Sequence, residues 1–169
     1  MKKIVILFLC MYTLSFAIVD FPNLRWNDRV FSVMMAYPGV EEEESYYNGV
    51  EIYVADHPEN MVESYKFYLL DGNLYKIEVV FDPQQVDTTS KIRDIYNSIT
   101  DKFGNPIAKN PISEALITTK VTGNSQTFRA DRDTLAFFKG IDTFDADGNM
   151  IDSQLILEYR NNAMVNVYP

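Results

Sequence analysis

The plainest pattern in the chain is a pair of alternating runs separated by turn residues. Tyr65, Phe67 and Leu69 alternate with Lys66, Tyr68 and Leu70, and Tyr75, Ile77, Val79 and Phe81 alternate with Lys76, Glu78 and Val80. Alternation with period two is the mark of half-buried strands, and Asp71-Gly72-Asn73 between the runs is turn chemistry, so the segment predicts a hairpin. Two registers compete. A two-residue Gly72-Asn73 loop would set Phe67 opposite Glu78 and Leu69 opposite Lys76. A three-residue Asp71-Gly72-Asn73 loop sets Leu69 opposite Tyr75, Phe67 opposite Ile77 and Tyr65 opposite Val79, with Lys66 opposite Glu78 on the other face. A slip of one residue exchanges the faces, so the apolar match selects the second register.

The period then changes. Ile92, Ile95, Tyr96, Ile99 and Phe103 fall on one stripe of a helix that starts near Thr88 or Ser90 and stops at Gly104, with Pro106 beyond it. Upstream, Val30, Val33, Met34 and Tyr37 have helical spacing, which predicts a short helix over 28–37 capped by Asn27 and ended by Pro38-Gly39. Asn48-Gly49 predicts a turn joining strands at 44–47 and 50–55. Further strands are expected at 115–121, 126–130, 134–139 and 154–160, with turns at Gly123-Asn124 and Asp147-Gly148-Asn149. This order predicts an α+β fold, a mainly antiparallel sheet with one longer and one short helix packed on it.

The N-terminus has a different character. Lys2 and Lys3 precede an apolar run from Ile4 to Leu14, and Ser15-Phe16-Ala17 places small residues at the −3 and −1 positions of a cleavage site. This predicts a signal peptide over 1–17 and a single domain over 18–169, exported to the periplasm or the extracellular space. The run is shorter than the ~20 residues a spanning helix needs, so no membrane span is expected after cleavage. Cys10 lacks the small preceding residues of a lipidation site, since Phe8 and Leu9 stand there.

Composition narrows the function. The 169 residues are 47% apolar and 14% aromatic, which excludes a disordered chain. Removing two of the 15 basic residues with the leader leaves 13 against 24 acidic ones, a net charge of −11, and no cysteine. Phosphate neutralisation needs clustered Lys and Arg, so a nucleic-acid partner is not expected. A thiol-free exported chain holds its fold by its core.

Several residues combine into a resemblance. Trp26 before a short helix ending in Pro38-Gly39, the run from Tyr65 to Leu70, Asp71-Gly72-Asn73-Leu74-Tyr75-Lys76-Ile77-Glu78-Val79 and a helix closing in Phe103-Gly104-Asn105-Pro106 resemble small exported bacterial α+β proteins of unassigned function. The likeness spans roughly 21–160 and implies the same fold. It implies no catalytic residues.

Candidate chemistry is sparse. His57, the one histidine, lies in a polar His57-Pro58-Glu59-Asn60 loop with no nucleophile motif elsewhere, so the residues predict neither a serine hydrolase nor a zinc site. Asp145-Ala146-Asp147-Gly148-Asn149 has part of a calcium-loop pattern. With Gly148 at the sixth position, the first and twelfth would be Thr143 and Gln154, so a hairpin turn is the expected reading. Glu41 to Glu44 suit a solvated edge that resists aggregation. No catalytic residue, metal or cofactor is therefore expected. Tyr68, Leu70, Leu74 and Val80 are expected on the sheet face away from the longer helix. They are the candidate contact for an envelope protein partner, which would make this a non-enzymatic interaction module. A domain binding a small ligand or glycan is the alternative.

Overall fold

A computed structural model describes residues 17–115 and 118–164. The predicted leader falls almost entirely outside them. The fold is α+β, built on a mostly antiparallel sheet.

Two strands, β1 (Ala17–Ile18) and β2 (Phe21–Arg25), lead into helix α1 (Val30–Ala36). The first meander follows: β3 (Glu41–Glu43), β4 (Val50–Asp56), β5 (Val62–Leu70) and β6 (Asn73–Phe81). Helix α2 (Thr89–Phe103) then carries the chain to a second meander of β7 (Ala108–Ala115), β8 (Thr119–Arg129), β9 (Thr134–Asp145) and β10 (Met150–Asn161). The eight strands lie in the order β3-β4-β5-β6-β10-β9-β8-β7. One helix followed by four strands thus occurs twice, and the last strands of the two meanders pair at the centre.

The central hairpin explains its own register. Phe67 faces Ile77, Tyr65 faces Val79 and Lys66 faces Glu78, as the apolar match requires. The loop differs from both predicted forms. It is Asp71-Gly72, with Leu70 opposite Asn73 and both loop residues in the left-handed region at φ 49° and 73°. That pair of angles suits a tight hairpin turn. The turn alone would pair Phe67 with Lys76. The same turn sets Leu69 opposite Leu74, and a bulge between Tyr68 and Leu69 then absorbs Tyr75 as an extra residue, restoring the apolar register beyond it. Leu69 therefore does not face Tyr75, and Leu74 changes sides.

One sheet face and both helices enclose the main core. Phe67, Leu69, Leu74, Ile77 and Phe128 have no exposure, and Val33 of α1 and Ile99 of α2 close over the same cluster. Trp26 joins it, donating its Nε1 hydrogen to Thr134 Oγ1 at 3.0 Å. Around Phe21, the rings of Tyr65, Phe67 and Tyr159 stand edge to face with centroids 5.3–6.2 Å away.

Helix α2 follows its sequence signals. Thr88 is the N-cap and its hydroxyl accepts from the Lys91 amide at 3.3 Å, while Gly104 ends the helix at φ 80°. Helix α1 is shorter than predicted and begins at Val30, because Asn27 has another task. Its amide donates to Leu74 O at 2.9 Å and its φ is 70°, so it cannot serve as cap. The first hairpin forms with Glu41–Glu43, not 44–47, as the partner of β4. Gly123-Asn124 is no turn. It lies inside β8, where a Cβ on Gly123 would stand 2.0 Å from the Gly140 carbonyl oxygen. The glycine permits close strand approach.

Candidate functional site

The four residues expected to share a contact face divide. Tyr68 lies on the face away from the helices, half-buried, and its hydroxyl donates to Glu78 Oε2 at 2.6 Å. The Lys76 ammonium sits 3.7 Å from its ring centroid. Burial and the Glu78 carboxylate push its pKa far above the ordinary phenol value. Leu70 shares that face and packs beside Val50, Ile52 and Tyr75. Val80 is there too, but only 5% exposed. Leu74 is a correction: the two-residue turn sets it opposite Leu69 in the helix-side core, fully buried. Tyr75 takes the opposite face in its place, and burial pushes its hydroxyl up to about 12.

The same open face holds a compact ion cluster. Glu158 is 1% exposed and accepts from Lys139 Nζ at 2.6 Å and from Arg160 Nε. Lys76 Nζ lies 3.1 Å from Glu78 Oε1. Burial alone would raise the Glu158 carboxyl, yet Lys139, Arg160 and Lys76 hold it below the usual carboxylate range. These groups serve one another and present no converging set of unengaged donors.

The other sequence candidates have structural tasks. His57 is an exposed loop residue at φ 44°, with its amide donated to Glu63 O at 2.7 Å. Asp145 Oδ1 accepts from the amides of Asp147 and Asn149 at 2.9 and 2.8 Å, and Oδ2 accepts from Asn149 Nδ2 at 3.0 Å. The hydrogen bond from the Asn149 side chain, then its amide, keeps that carboxyl below its ordinary pKa. Its acceptors organise the β9–β10 turn. Glu41 to Glu43 form the edge strand β3, where Glu43 pairs with Lys66 at 2.8 Å. Among the described residues no group of three His, Cys, Asp or Glu side chains is placed to hold a metal ion. No helix among them is long and apolar enough to cross a membrane.

What the sequence did not disclose is a groove beneath α2. It encloses about 550 Å³, and its wall is largely apolar. Ile95, Ile99 and Phe103 come from α2, Leu157 from β10, and Met61 and Phe81 from one end of the first meander.

Polar side chains line it as well: Lys91, Asp94 and Ser98 along α2, and a hydrogen-bonded group around Asp20. Asp20 accepts from Tyr159 Oη at 2.5 Å through Oδ2 and pairs with the Lys102 ammonium through Oδ1. Tyr159 is almost wholly buried, and burial followed by the Asp20 charge keeps its hydroxyl protonated far above the ordinary value. Asp20 and Met61, both on this rim, have left-handed backbones at φ 69° and 66°. Such conformations cost an L-residue about 1 kcal/mol or more and are held by the surrounding structure.

No family model, curated protein or solved structure matches this chain.

Proposed function

We propose that this chain is an exported, non-enzymatic binding protein whose site is the groove beneath α2. One observation carries the reading: a largely apolar hollow of about 550 Å³ that also holds the hydrogen-bonded group of Asp20, Tyr159 and Lys102. That volume lies within the ~300–1,000 Å³ of small-molecule sites, which pair apolar walls with a few placed polar groups. A hydrophobic wall supplies affinity by burial, and the polar group orients what enters. Binding a small ligand therefore has more support than docking a protein on Tyr68, because the Tyr68 hydroxyl and ring are already engaged by Glu78 and Lys76.

The test is a titration with the neutral apolar fluorophore N-phenyl-1-naphthylamine. Ser98 is exposed on α2 and lines the groove, whereas its exposed neighbour Asn97 does not. Saturable fluorescence enhancement is expected for the native protein. Ser98→Phe should weaken it about tenfold, and Asn97→Phe should leave it unchanged, with matching thermal melts. Equal binding by the two variants, or no saturable binding by the native protein, would refute the reading.

A further inference from the structure

Four charged side chains line the groove beneath α2, and their charges sum to zero. Asp20 and Asp94 stand against Lys91 and Lys102, in a chain whose acidic residues outnumber its basic ones 24 to 15. Both ammonium groups are already engaged. Lys102 pairs with Asp20, and Lys91 pairs with Asp87 at 2.9 Å and donates to Gln85 O at 2.7 Å. Asp20 is held from its other oxygen as well, since Oδ2 accepts from the buried Tyr159 hydroxyl. Asp94 is exposed on α2, where a pair with an incoming ion is screened by water and worth little. The rest of the wall is largely apolar.

We propose that the Asp20–Lys102 pair makes this groove select uncharged apolar ligands. This rests on the binding role of the groove given above and adds the class of ligand and the residues that set it. An ion entering the groove loses hydration along the apolar wall, a large cost unless a counter-charge replaces it. The pair withholds that counter-charge. A carboxylate brought to Lys102 meets Asp20 beside it, and an ammonium brought to Asp20 meets Lys102. Each attraction is thus offset by a like-charge repulsion at similar distance. An uncharged ligand incurs neither cost and gains the whole apolar contact. Size follows from the volume. A ~150 Å³ apolar cavity holds benzene, so about 550 Å³ admits a body of up to roughly twenty heavy atoms.

Displacement of N-phenyl-1-naphthylamine by decanol, decanoate and decylammonium at neutral pH tests this, since the three share one apolar body. Decanol should bind at least about tenfold more tightly than either ion. Removing half of the pair should relax the selection in opposite senses. Asp20→Asn leaves Lys102 without its partner, and the preference for decanol over decanoate should fall about tenfold, the worth of one charge-assisted hydrogen bond. Lys102→Met leaves Asp20 without its cation, and the preference for decanol over decylammonium should fall by as much. Each ratio is read within one variant, so a general weakening of the groove drops out. Native protein that binds either ion as tightly as decanol overturns the uncharged class and leaves the apolar groove standing. Ratios that keep their native values in both variants overturn the role of the pair. No displacement by any of the three, while N-phenyl-1-naphthylamine itself still binds, overturns the ligand class alone.

Discussion

Replacing Glu158 by Gln probes how the open face of the sheet is held together. Glu158 lies directly across the ladder from Glu78 and is 1% exposed. Facing like charges destabilise a sheet, and here Lys139, Arg160 and Lys76 offset them. Glu158→Gln keeps the side chain's shape but leaves Lys139 and Arg160 without its charge. Removing one partner of a buried pair costs about 3–5 kcal/mol. The two cationic side chains retain 17% and 12% exposure, so water recovers part of that. The expected loss is about 3 kcal/mol, a urea midpoint lower by about 1.5 M for a slope near 2 kcal/mol per M. Lys139→Met should also destabilise, and the double variant should lose less than the two single losses combined, because the partners share one interaction. The pH dependence has a definite sign. The cluster lowers the folded-state pKa of Glu158, so its contribution is present above the ordinary carboxylate pKa and fades as pH falls through the lowered folded value. The gap between native and Glu158→Gln proteins should be full at neutral pH and begin to narrow as pH falls to about 4, the ordinary carboxylate range. Urea titrations followed by circular dichroism measure all of this. A Glu158→Gln midpoint within about 0.2 M of native would mean the cluster is bathed in solvent and would refute the argument.

Two further outcomes are expected. Gly123→Ala should cost about 3 kcal/mol or more, because its Cβ meets the Gly140 carbonyl. Gly140→Ala finds no atom within 4 Å and should cost less than about 1 kcal/mol; chemical denaturation compares the pair. Export of the full chain from a bacterial host should yield a protein whose intact mass begins at Ile18, and recovery of the uncleaved chain would contradict cleavage after Ala17.

What could be read in the sequence follows a physical line. Elements whose signals are local appear where their residues predict them. The cap at Thr88, the stripe through Ile95 and Ile99 and the stop at Gly104 define α2, and the Asp145–Asn149 turn forms on its own side-chain acceptors. Errors arise where distant partners decide. The Asp71-Gly72 turn and the apolar match demand different registers, and only a bulge reconciles them. The sequence does not show that bulge, and the turn sets Leu74 in the core. The strand predicted at 115–121 meets only the last residue of β7 and the first residues of β8, because an edge strand exposed along Lys109, Asn110 and Pro111 has no alternation to read. Gly123-Asn124 carried turn chemistry, while its true role depends on Gly140 in the next strand. The groove was beyond any local pattern. Its polar group brings together Asp20, Lys102 and Tyr159, residues far apart in the chain that only the folded sheet makes neighbours.

The central claim is that binding takes place beneath α2 and not on the open face of the sheet. Methyl-labelled protein observed by NMR during titration with N-phenyl-1-naphthylamine tests it most directly. The account predicts shifts at the Ile95, Ile99 and Leu157 methyls, which line the groove, with Leu70 and Val80 across the sheet unmoved. Shifts confined to Leu70 and Val80, with Ile95 and Ile99 unchanged, would contradict it.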